Sequence, residues 1–401
     1  MAAKFIEYIN SIPLSELMSE KGYQQKNGSY LRVVESEYPF DEGINKMQGL
    51  EMLDKRVFQI CVQLHQEQKT VVLISQSPVI RMKARRFLNI ESQPFKDEIF
   101  PDPKDQYKGY EMVSVSQTNL GKFYSEGKLS IKEVYENNQI NWQENMFAVL
   151  QSENGSGVGR YSNGYIQKLE YSLPNGYKAL NVEQKMLWEC LLAPPEDAPL
   201  VVVKGAAGTG KTYCSLAMAL ERLNKYSDKE VYDQILVASP TVTVSNESIG
   251  YLPGDIDDKV GPYLGGIMDN LKSIFQEKSP GDDNKMLLDK ANELFERGFI
   301  QIQPIGFLRG RTIPNTVFIV DETQNISPSD IKDIVTRAAR GSKFIFLGDP
   351  EQINNPDLNA RYNGLVYLSE KMKGNSLCWQ VTLNSDKSVR SNLAQEALKI
   401  L

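Results

Sequence analysis

Histidine, paired cysteine and long apolar runs are scarce in this sequence. A single histidine, His65, excludes a metal site built on histidine ligands. The four cysteines lie far apart and include no C-x-x-C pair, which argues against disulfides and zinc and fits a reducing, cytoplasmic compartment. No apolar run approaches the roughly 20 residues of a membrane-spanning helix, and residues 1–10 lack the architecture of a signal peptide. No membrane partner is therefore expected.

An excess of positive charge is also missing. The formal net charge is −6, so any contact with nucleic acid must come from a local patch or from the lumen of a ring. The content of 41% hydrophobic and 24% charged residues is ordinary for a globular protein. The length of 401 residues predicts two or three domains of roughly 150 residues each.

The stretch from Val201 to Leu220 carries the clearest local pattern. A β-branched run, a glycine-rich turn and a segment rich in Ala, Leu and Met predict a strand, a loop and a helix. The turn fits G-x-x-x-x-G-K-[ST], in which backbone N–H groups and a helix N-terminus surround phosphate oxygens. Lys211 is expected to reach the β- and γ-phosphates, and the Thr212 hydroxyl to ligate Mg²⁺. The predicted nucleotide-binding residues are Gly205, Ala206, Ala207, Gly208, Thr209, Gly210, Lys211, Thr212 and Tyr213.

A second element of a phosphate site follows about 110 residues later. An apolar strand in TVFIVDETQN ends in Asp321 and Glu322, at the carboxyl end of a buried strand, where ligands of α/β proteins bind. Asp321 is expected to hold Mg²⁺ through water, and Glu322 to polarise the attacking water. The two elements together predict an ATPase with ATP and Mg²⁺ as its cofactors.

Further motifs of this half resemble those of PhoH-like ATPases, and the likeness covers residues 176–401. They are L-P-G-D…K-x-x-P-Y, R-G-R-T and a late V-R pair. The resemblance implies a RecA-like P-loop NTPase, an α/β fold built on a parallel sheet. It also implies that Arg309 and Arg311 contact phosphate of nucleotide or RNA, because an arginine fork suits phosphate. The alternative for this pair is two surface arginines.

The resemblance also points to one catalytic arginine and shows one departure. Arg390 is the candidate that stabilises transition-state charge, an effect worth roughly 10³–10⁵ in rate. Arg337 and Arg340 are the alternatives. Ser239 and Pro240 stand where the family has Arg-Pro, so one basic contact of the family is not expected here.

Three glutamines resemble those of superfamily-one helicases. Gln184 lies on a predicted helix ahead of the P-loop, where a helicase glutamine contacts the adenine edge, and an amide can donate and accept at once. Gln324 completes D-E-x-Q, and Gln352 ends G-D-x-x-Q after another apolar strand. The resemblance implies that Gln352 senses the γ-phosphate and couples hydrolysis to nucleic-acid contact.

Residues 1–118 resemble the PIN domain of PIN-plus-PhoH proteins. Arg81, Lys83 and Ala84 match the family's R-x-K-A, and Asp54 stands in a segment like its D-N-R helix. Ser77 replaces the metal-binding aspartate, and the first strand with D-T-N-x-L has no counterpart, as though the chain began after it. Because Mg²⁺ needs clustered carboxylates, a PIN-like domain without nuclease activity is expected. The basic helix around Arg81 is either a solvated face or an RNA-facing patch.

Residues 119–175 resemble the connector of the same proteins. Asn/Gly/Ser turns separate short strands, and Gly159, Arg160 and Tyr161 match the family's G-R-Y. We therefore expect a small α/β PIN-like domain over 1–118, a β-rich connector over 119–175 and a PhoH-like ATPase domain over 176–401.

One P-loop unit leaves the ATP site incomplete if the site needs a second lobe. The resemblance implies a homo-oligomer, with a hexameric ring as its expected form, single-stranded RNA as the partner and an RNA helicase or RNA-remodelling motor as the function. Two alternatives stay open. One is a nucleotide-gated scaffold that acts on a protein partner, and the other is a PIN-type ribonuclease.

Overall fold

In a computed structural model of this protein, runs of β-branched and aromatic residues form strands such as Thr316–Val320. The structure describes Ile9 and residues 11–19, 21–25, 28–34, 41–67, 69–75, 77–93, 100–134, 140–174, 176–223, 231–240, 256–305, 312–355 and 358–384. By their contacts, the residues divide into two units, Met1–Asp97 and Glu98–Leu401.

The first unit is made of short helices and strands around a small core. Two two-stranded sheets lie in it, β1–β2 antiparallel and β3–β4 parallel. Its core gathers apolar side chains such as Ile44, Phe58 and Ile90. Its described elements are α1 Leu14–Leu17, β1 Tyr23–Gln24, β2 Tyr30–Leu31, α2 Glu42–Asn45, α3 Met52–Gln66, β3 Val72–Ile74, α4 Pro78–Phe87 and β4 Glu91–Gln93.

The second unit begins with a five-stranded sheet that we call the connector sheet. Its strand order is β5-β7-β8-β9-β6, with β5 parallel to β7 and the other pairs antiparallel. The boundary predicted at residue 118 lies within this sheet, since β5 precedes it and β7 follows it. The described elements are β5 Tyr110–Ser114, α5 Gln117–Glu126, β6 Lys128–Ser130, α6 Ile131–Val134, β7 Phe147–Ser152, β8 Gly155–Ser162 and β9 Tyr165–Lys168.

A six-stranded sheet with helices on both faces forms the rest of the second unit. Its order is β12-β11-β13-β14-β10-β15, and every neighbouring pair is parallel. The described elements are α7 Val182–Leu192, β10 Leu200–Gly205, α8 Lys211–Glu221, β11 Gln234–Ser239, α9 Ile256–Lys278, α10 Asn284–Glu296, β12 Ile300–Pro304, β13 Thr316–Val320, α11 Pro328–Val335, β14 Lys343–Gly348, α12 Gly364–Lys371 and β15 Cys378–Leu383. The predicted α/β fold of a RecA-like P-loop NTPase with a parallel sheet is confirmed.

The central strands of the six-stranded sheet are largely apolar on both faces because both faces are covered. Val201 and Val203 of β10 pack into one core, whereas Leu200 and Val202 pack into the other. Such continuous apolar runs are typical of parallel strands with helices on both sides. Strand β14 lies between β10 and β13, so the loop after β14 emerges between the loops that follow the other two.

The connector sheet packs against the ATPase part of the second unit. Alternate residues of β7 face opposite ways: Ala148 joins the core beneath α5, whereas Phe147 and Val149 join the core of the six-stranded sheet. The Arg160 guanidinium lies 3.9 Å from the centre of the Trp379 ring on β15. The connector sheet and the edge strand β15 are thus parts of one packed body.

Candidate functional site

The predicted P-loop lies at the carboxyl end of β10. Strand β10 ends at Gly205, and helix α8 begins at Lys211. Gly208 and Gly210 have φ angles of 82° and 90°, a left-handed conformation that glycine adopts without strain. A Cβ atom at position 210 would lie 3.2 Å from Nε2 of Gln184. The glycines therefore allow both the turn and the close approach of the neighbouring helix.

Lys211 is held against the start of the loop. Its side chain is largely buried, and Nζ donates to the carbonyl of Ala206 at 2.9 Å and to that of Gly205. The Thr209 hydroxyl donates to the same Ala206 carbonyl at 2.8 Å. The ammonium group is thus beside the loop whose N–H groups would surround a phosphate.

The two predicted metal ligands meet in the structure. The Thr212 hydroxyl donates to Oδ2 of Asp321 at 2.9 Å, which joins the first turn of α8 to the end of β13. A hydroxyl and a carboxylate are oxygen donors of the kind that Mg²⁺ prefers, with water and phosphate completing its shell. The pair therefore fits the predicted ion. Among the described residues, no group of three or more His, Cys, Asp or Glu side chains could hold a metal ion.

Glu322 follows directly in an unusual backbone conformation. Its φ of 53° is left-handed, and its N–H donates to Oδ1 of Asp321 at 2.9 Å. Burial raises the pKa of its carboxyl, and the carboxylate of Asp321 acts in the same direction. The amide of Gln324 and the ammonium of Lys211 oppose that rise. Glu322 is therefore more basic than an exposed glutamate, as a proton acceptor should be.

The loop after β14 reaches the same place, but through its backbone. The carbonyl of Gln352 accepts a hydrogen bond from Nε2 of Gln324 at 2.8 Å, while the Gln352 side chain is exposed. The position predicted for a γ-phosphate sensor is thus next to Glu322. Its predicted contact through the side chain stays a prediction.

A cavity of about 610 Å³ lies on the other side of the P-loop. Its volume suits a small ligand, and its wall includes Tyr213, whose hydroxyl donates to Oε2 of Glu277 on α9 at 2.6 Å. Tyr177 lines the cavity and packs on Trp188, with ring centres 5.3 Å apart. Sequence reasoning missed Tyr177 and Glu277, since neither belongs to a motif and only the fold brings them to the loop.

Gln184, the residue predicted to contact adenine, lines this cavity. Asn181 caps α7 by accepting from the Gln184 N–H at 2.8 Å. The side-chain amide accepts from Leu180 N at 2.8 Å and donates to the carbonyl of Thr209 at 3.2 Å. A primary amide has one more hydrogen and one more lone pair. Gln184 can therefore hold the P-loop and still meet a base.

The arginine predictions divide by position. Arg309, Arg311 and Arg390 lie outside the described residues, as does the L-P-G-D segment. The carbonyls of Arg337 and Arg340 accept from residues just before β13. That end of the sheet is opposite to the P-loop, so these two arginines are not brought to the nucleotide site of their own chain.

In the first unit, the residues that resemble the PIN domain have local structural partners. Asp54 accepts from the backbone at the start of α3, and Ser77 caps α4 by accepting from Ile80 N. Three basic side chains of α4 donate to backbone carbonyls of the same unit. They are Arg81, Lys83 and Arg85. These contacts favour a structural role for much of the basic helix.

The fold and the elements around Lys211 and Asp321 define a P-loop NTPase. The PhoH family profile, described as PhoH-like protein, matches residues 177–401. Protein PhoH2 of Bacillus subtilis is 34% identical over 361 residues, which are 87% of this chain and 77% of that protein. The chain therefore belongs to the PhoH-like protein family.

Other relatives match a smaller part of the chain. A PhoH-like protein of Bacillus subtilis is 34% identical over 200 residues, 50% of this chain and 57% of that protein. Among solved structures, the large terminase of a thermophilic bacteriophage in complex with ADP has 13% identity and a TM-score of 0.33, and the match covers 54% of this chain and 48% of that one. A likeness this distant does not bear on function. Within the described part of the chain, no helix is long and apolar enough to cross a membrane.

Proposed function

We propose that this chain binds and hydrolyses ATP with Mg²⁺ and works as an oligomeric motor on single-stranded RNA. The observation that carries the proposal is the contact of Thr212 with Asp321 at 2.9 Å, beside a buried Lys211 and next to Glu322. Two distant elements of the sequence bring a cation, a metal-type donor pair and a basic carboxylate to one edge of the sheet.

Each residue has a distinct chemical task. Lys211 and the loop N–H groups would bind the β- and γ-phosphates, where the ammonium offsets negative charge. Thr212 and Asp321 would hold Mg²⁺, which when bound neutralises charge on the phosphates. Glu322 would accept a hydrogen bond from the attacking water and orient it, and its raised pKa suits that task.

The cavity beside the P-loop is the proposed place of the base. Gln184 would offer its remaining donor and acceptor to an adenine edge. Tyr213 and Tyr177 line the same space and provide aromatic faces. The hydrogen bond between Tyr213 and Glu277 closes the cavity with a residue of α9. ATP would thus lie across the P-loop, with its base on this side and its γ-phosphate toward Glu322.

The RNA and the oligomer are supported by sequence motifs rather than by contacts. The D-E-x-Q and G-D-x-x-Q motifs resemble those that helicases use to couple ATP to nucleic acid. Arg337 and Arg340, the two alternatives for the catalytic arginine, lie at the end of the sheet that is far from the P-loop. A neighbouring subunit would supply the arginine that the described residues do not bring to the P-loop, and a ring would concentrate positive potential that the net charge of −6 does not provide.

The proposal is tested by ATP turnover and particle mass. The purified chain should hydrolyse ATP only with Mg²⁺, faster with single-stranded RNA, and should show a larger mass with ATP. Lys211→Ala should abolish nucleotide binding, because the loop loses its cation. Glu322→Gln should keep ATP binding but lose turnover by at least roughly 100-fold. Fluorescence binding of an ATP analogue separates the two variants.

A surface variant serves as the control for these measurements. Glu293→Gln removes an exposed carboxylate of α10 that pairs with Arg297, and it should leave turnover unchanged. Turnover that is the same with RNA, with DNA and with neither, together with no binding of nucleic acid at low salt, would exclude the motor. A Glu322→Gln variant that assembles with ATP and keeps its cellular function would instead indicate a nucleotide-gated scaffold.

A further inference from the structure

Gln324 connects the proposed catalytic carboxylate to the loop after β14. It lies in the short helical turn Thr323–Asn325 and is 1% exposed. Its Nε2 donates to Oε2 of Glu322 at 2.7 Å and to the carbonyl of Gln352 at 2.8 Å. Its Oε1 accepts from the Asp349 N–H at 3.1 Å. Both amide hydrogens and one lone pair are thus engaged by two neighbouring loops.

Gly348 makes room for this amide. A Cβ atom at position 348 would lie well under 3.0 Å from Oε1 of Gln324. Any residue other than glycine would therefore force the neighbouring atoms to shift. The φ of Gly348 is not positive, so the glycine is needed for space and not for a turn. The first residue of G-D-x-x-Q is therefore fitted to the last residue of D-E-x-Q.

The backbone conformation of Glu322 is one that needs support from surrounding contacts. A left-handed glutamate is strained relative to ordinary backbone, and such conformations persist only where surrounding contacts fix them. The Glu322 N–H is held by Asp321, and the carboxylate is held by Gln324. Glu322 is therefore fixed at its backbone by one side chain and at its carboxylate by another.

We propose that Gln324 is a positioning residue, which holds the Glu322 carboxylate and makes its position depend on residues 348–352. The inference rests on the proposed function, in which Glu322 orients the attacking water. Glutamine suits the role because it donates twice and accepts once, as the two loops require. A ligand that moves the Asp349–Gln352 loop, whether γ-phosphate or RNA, would move the carboxylate with it.

The test compares Gln324→Met and Gln324→Glu with the wild-type chain in steady-state ATP hydrolysis. Methionine keeps the length but has no donor, and glutamate keeps the shape but only accepts. Either change should lower kcat roughly 10- to 100-fold, the size expected when a group that orients a catalytic residue is lost. KM and the affinity for an ATP analogue should stay within about threefold, since the phosphate contacts are untouched.

Two further variants separate positioning from folding. Gly348→Ala should displace the amide and give the same split between kcat and KM, although Gln324 is unchanged. Gln380→Met is the matched control: this glutamine is 3% exposed on β15 and makes two hydrogen bonds to Ser369. It should lower the melting temperature about as much as Gln324→Met while leaving kcat near wild type.

The outcomes distinguish this inference from the proposed function. If Glu322→Gln loses turnover but Gln324→Met and Gln324→Glu keep kcat within twofold, Gln324 does not position the carboxylate. If both Gln324 variants raise KM as much as they lower kcat, or if Gln380→Met shows the same loss of kcat, the effect is structural and the inference is wrong. A wild-type chain without ATP hydrolysis overturns both.

Discussion

Lys343 is a lysine with no exposed surface at the first position of β14. Its Nζ donates to the carbonyl of Ala193 at 2.7 Å. Burial lowers the pKa of its ammonium from 10.5 to about 7, because the charged form loses its hydration. The protein thus holds a charge-bearing group where an apolar one would cost less.

This burial predicts a pH dependence of stability. Between pH 7 and pH 10 the unfolded chain keeps a proton on Lys343 that the folded chain has lost. Because the unfolded state binds more protons, the contribution of Lys343 to the free energy of unfolding rises with pH across that window. From pH 7.5 to pH 9 the gain should be roughly 2 kcal/mol. Lys343→Met should lack this gain.

Urea unfolding of both chains at several pH values measures the difference. Subtracting one curve from the other cancels the groups that Lys343 does not influence and so isolates the lysine together with its effect on the buried thiol of Cys190. Equal slopes in the two proteins would mean that Lys343 stays charged in the folded state.

Single residues were predictable where the chemistry is local in the chain. The loop from Gly205 to Thr212 has a consecutive signature, and Asp321 follows its own strand. The contact of Gln324 with the loop after β14 depends instead on β14 lying between β10 and β13. The spacing of motifs along the chain does not indicate which strands become neighbours. It likewise does not indicate that Tyr177 and Glu277 line the cavity.

At the scale of elements, the segment before β5 lies very close to β15. A Cβ atom at Gly109 would lie well under 3.0 Å from the carbonyl of Gln380, and φ of Gly109 is 84°. Nearby, the N–H of Tyr107 donates to Oε1 of Glu370 at 2.7 Å, and Lys204 of β10 donates to the Tyr107 carbonyl. The segment is therefore fixed to the strand that begins the P-loop.

Gly109→Ala should destabilise the protein strongly. The substitution forces a left-handed alanine, worth roughly 1–2 kcal/mol, and a backbone clash, worth roughly 1–3 kcal/mol more. Gly164→Ala is the matched control, since φ of Gly164 is 86° but nothing lies within 4 Å of its Cβ position. Thermal unfolding should show a clearly larger loss for Gly109→Ala. Equal losses would mean that the close approach to Gln380 carries no energy.

The elements were predicted well where both faces of a strand are buried. The runs that form β10, β13 and β14 are almost wholly apolar, so their strands follow from composition. Strand β15 was not predicted, although Cys378–Leu383 contains Trp379 and Val381, because Gln380 interrupts the run. The structure satisfies that glutamine with Ser369, a contact that the sequence alone does not reveal.

At the scale of the whole molecule, the family segment 177–401 does not contain its own complete core. Phe147 and Val149 of β7 belong to the core of the six-stranded sheet. The Asn145 amide donates to the carbonyl of Ser376 at 2.9 Å, just before β15. The connector predicted over 119–175 is therefore structural support for the ATPase part. The PIN-like assignment of residues 1–118 stays a prediction.

A fragment of residues 98–401 should therefore be more stable than one of residues 177–401. Removing the connector exposes apolar surface, and each large buried side chain is worth roughly 1.5–3 kcal/mol. Several such losses are comparable to the whole stability of a domain, roughly 5–15 kcal/mol. Urea unfolding and limited proteolysis should find the shorter fragment far less stable or aggregated. Equal midpoints for both fragments would show that the six-stranded sheet stands alone.

The contact of Gly109 with Gln380 also sets an order of events during synthesis. The ribosome makes residue 109 long before residue 380, and at roughly 5–20 residues per second the interval lasts on the order of 15–50 s. Arg160 is likewise made well before Trp379, its ring partner on the same strand as Gln380. The nascent chain therefore carries a connector sheet whose contacts with β15 form only late in synthesis, so the surface that faces β15 stays uncovered during that interval.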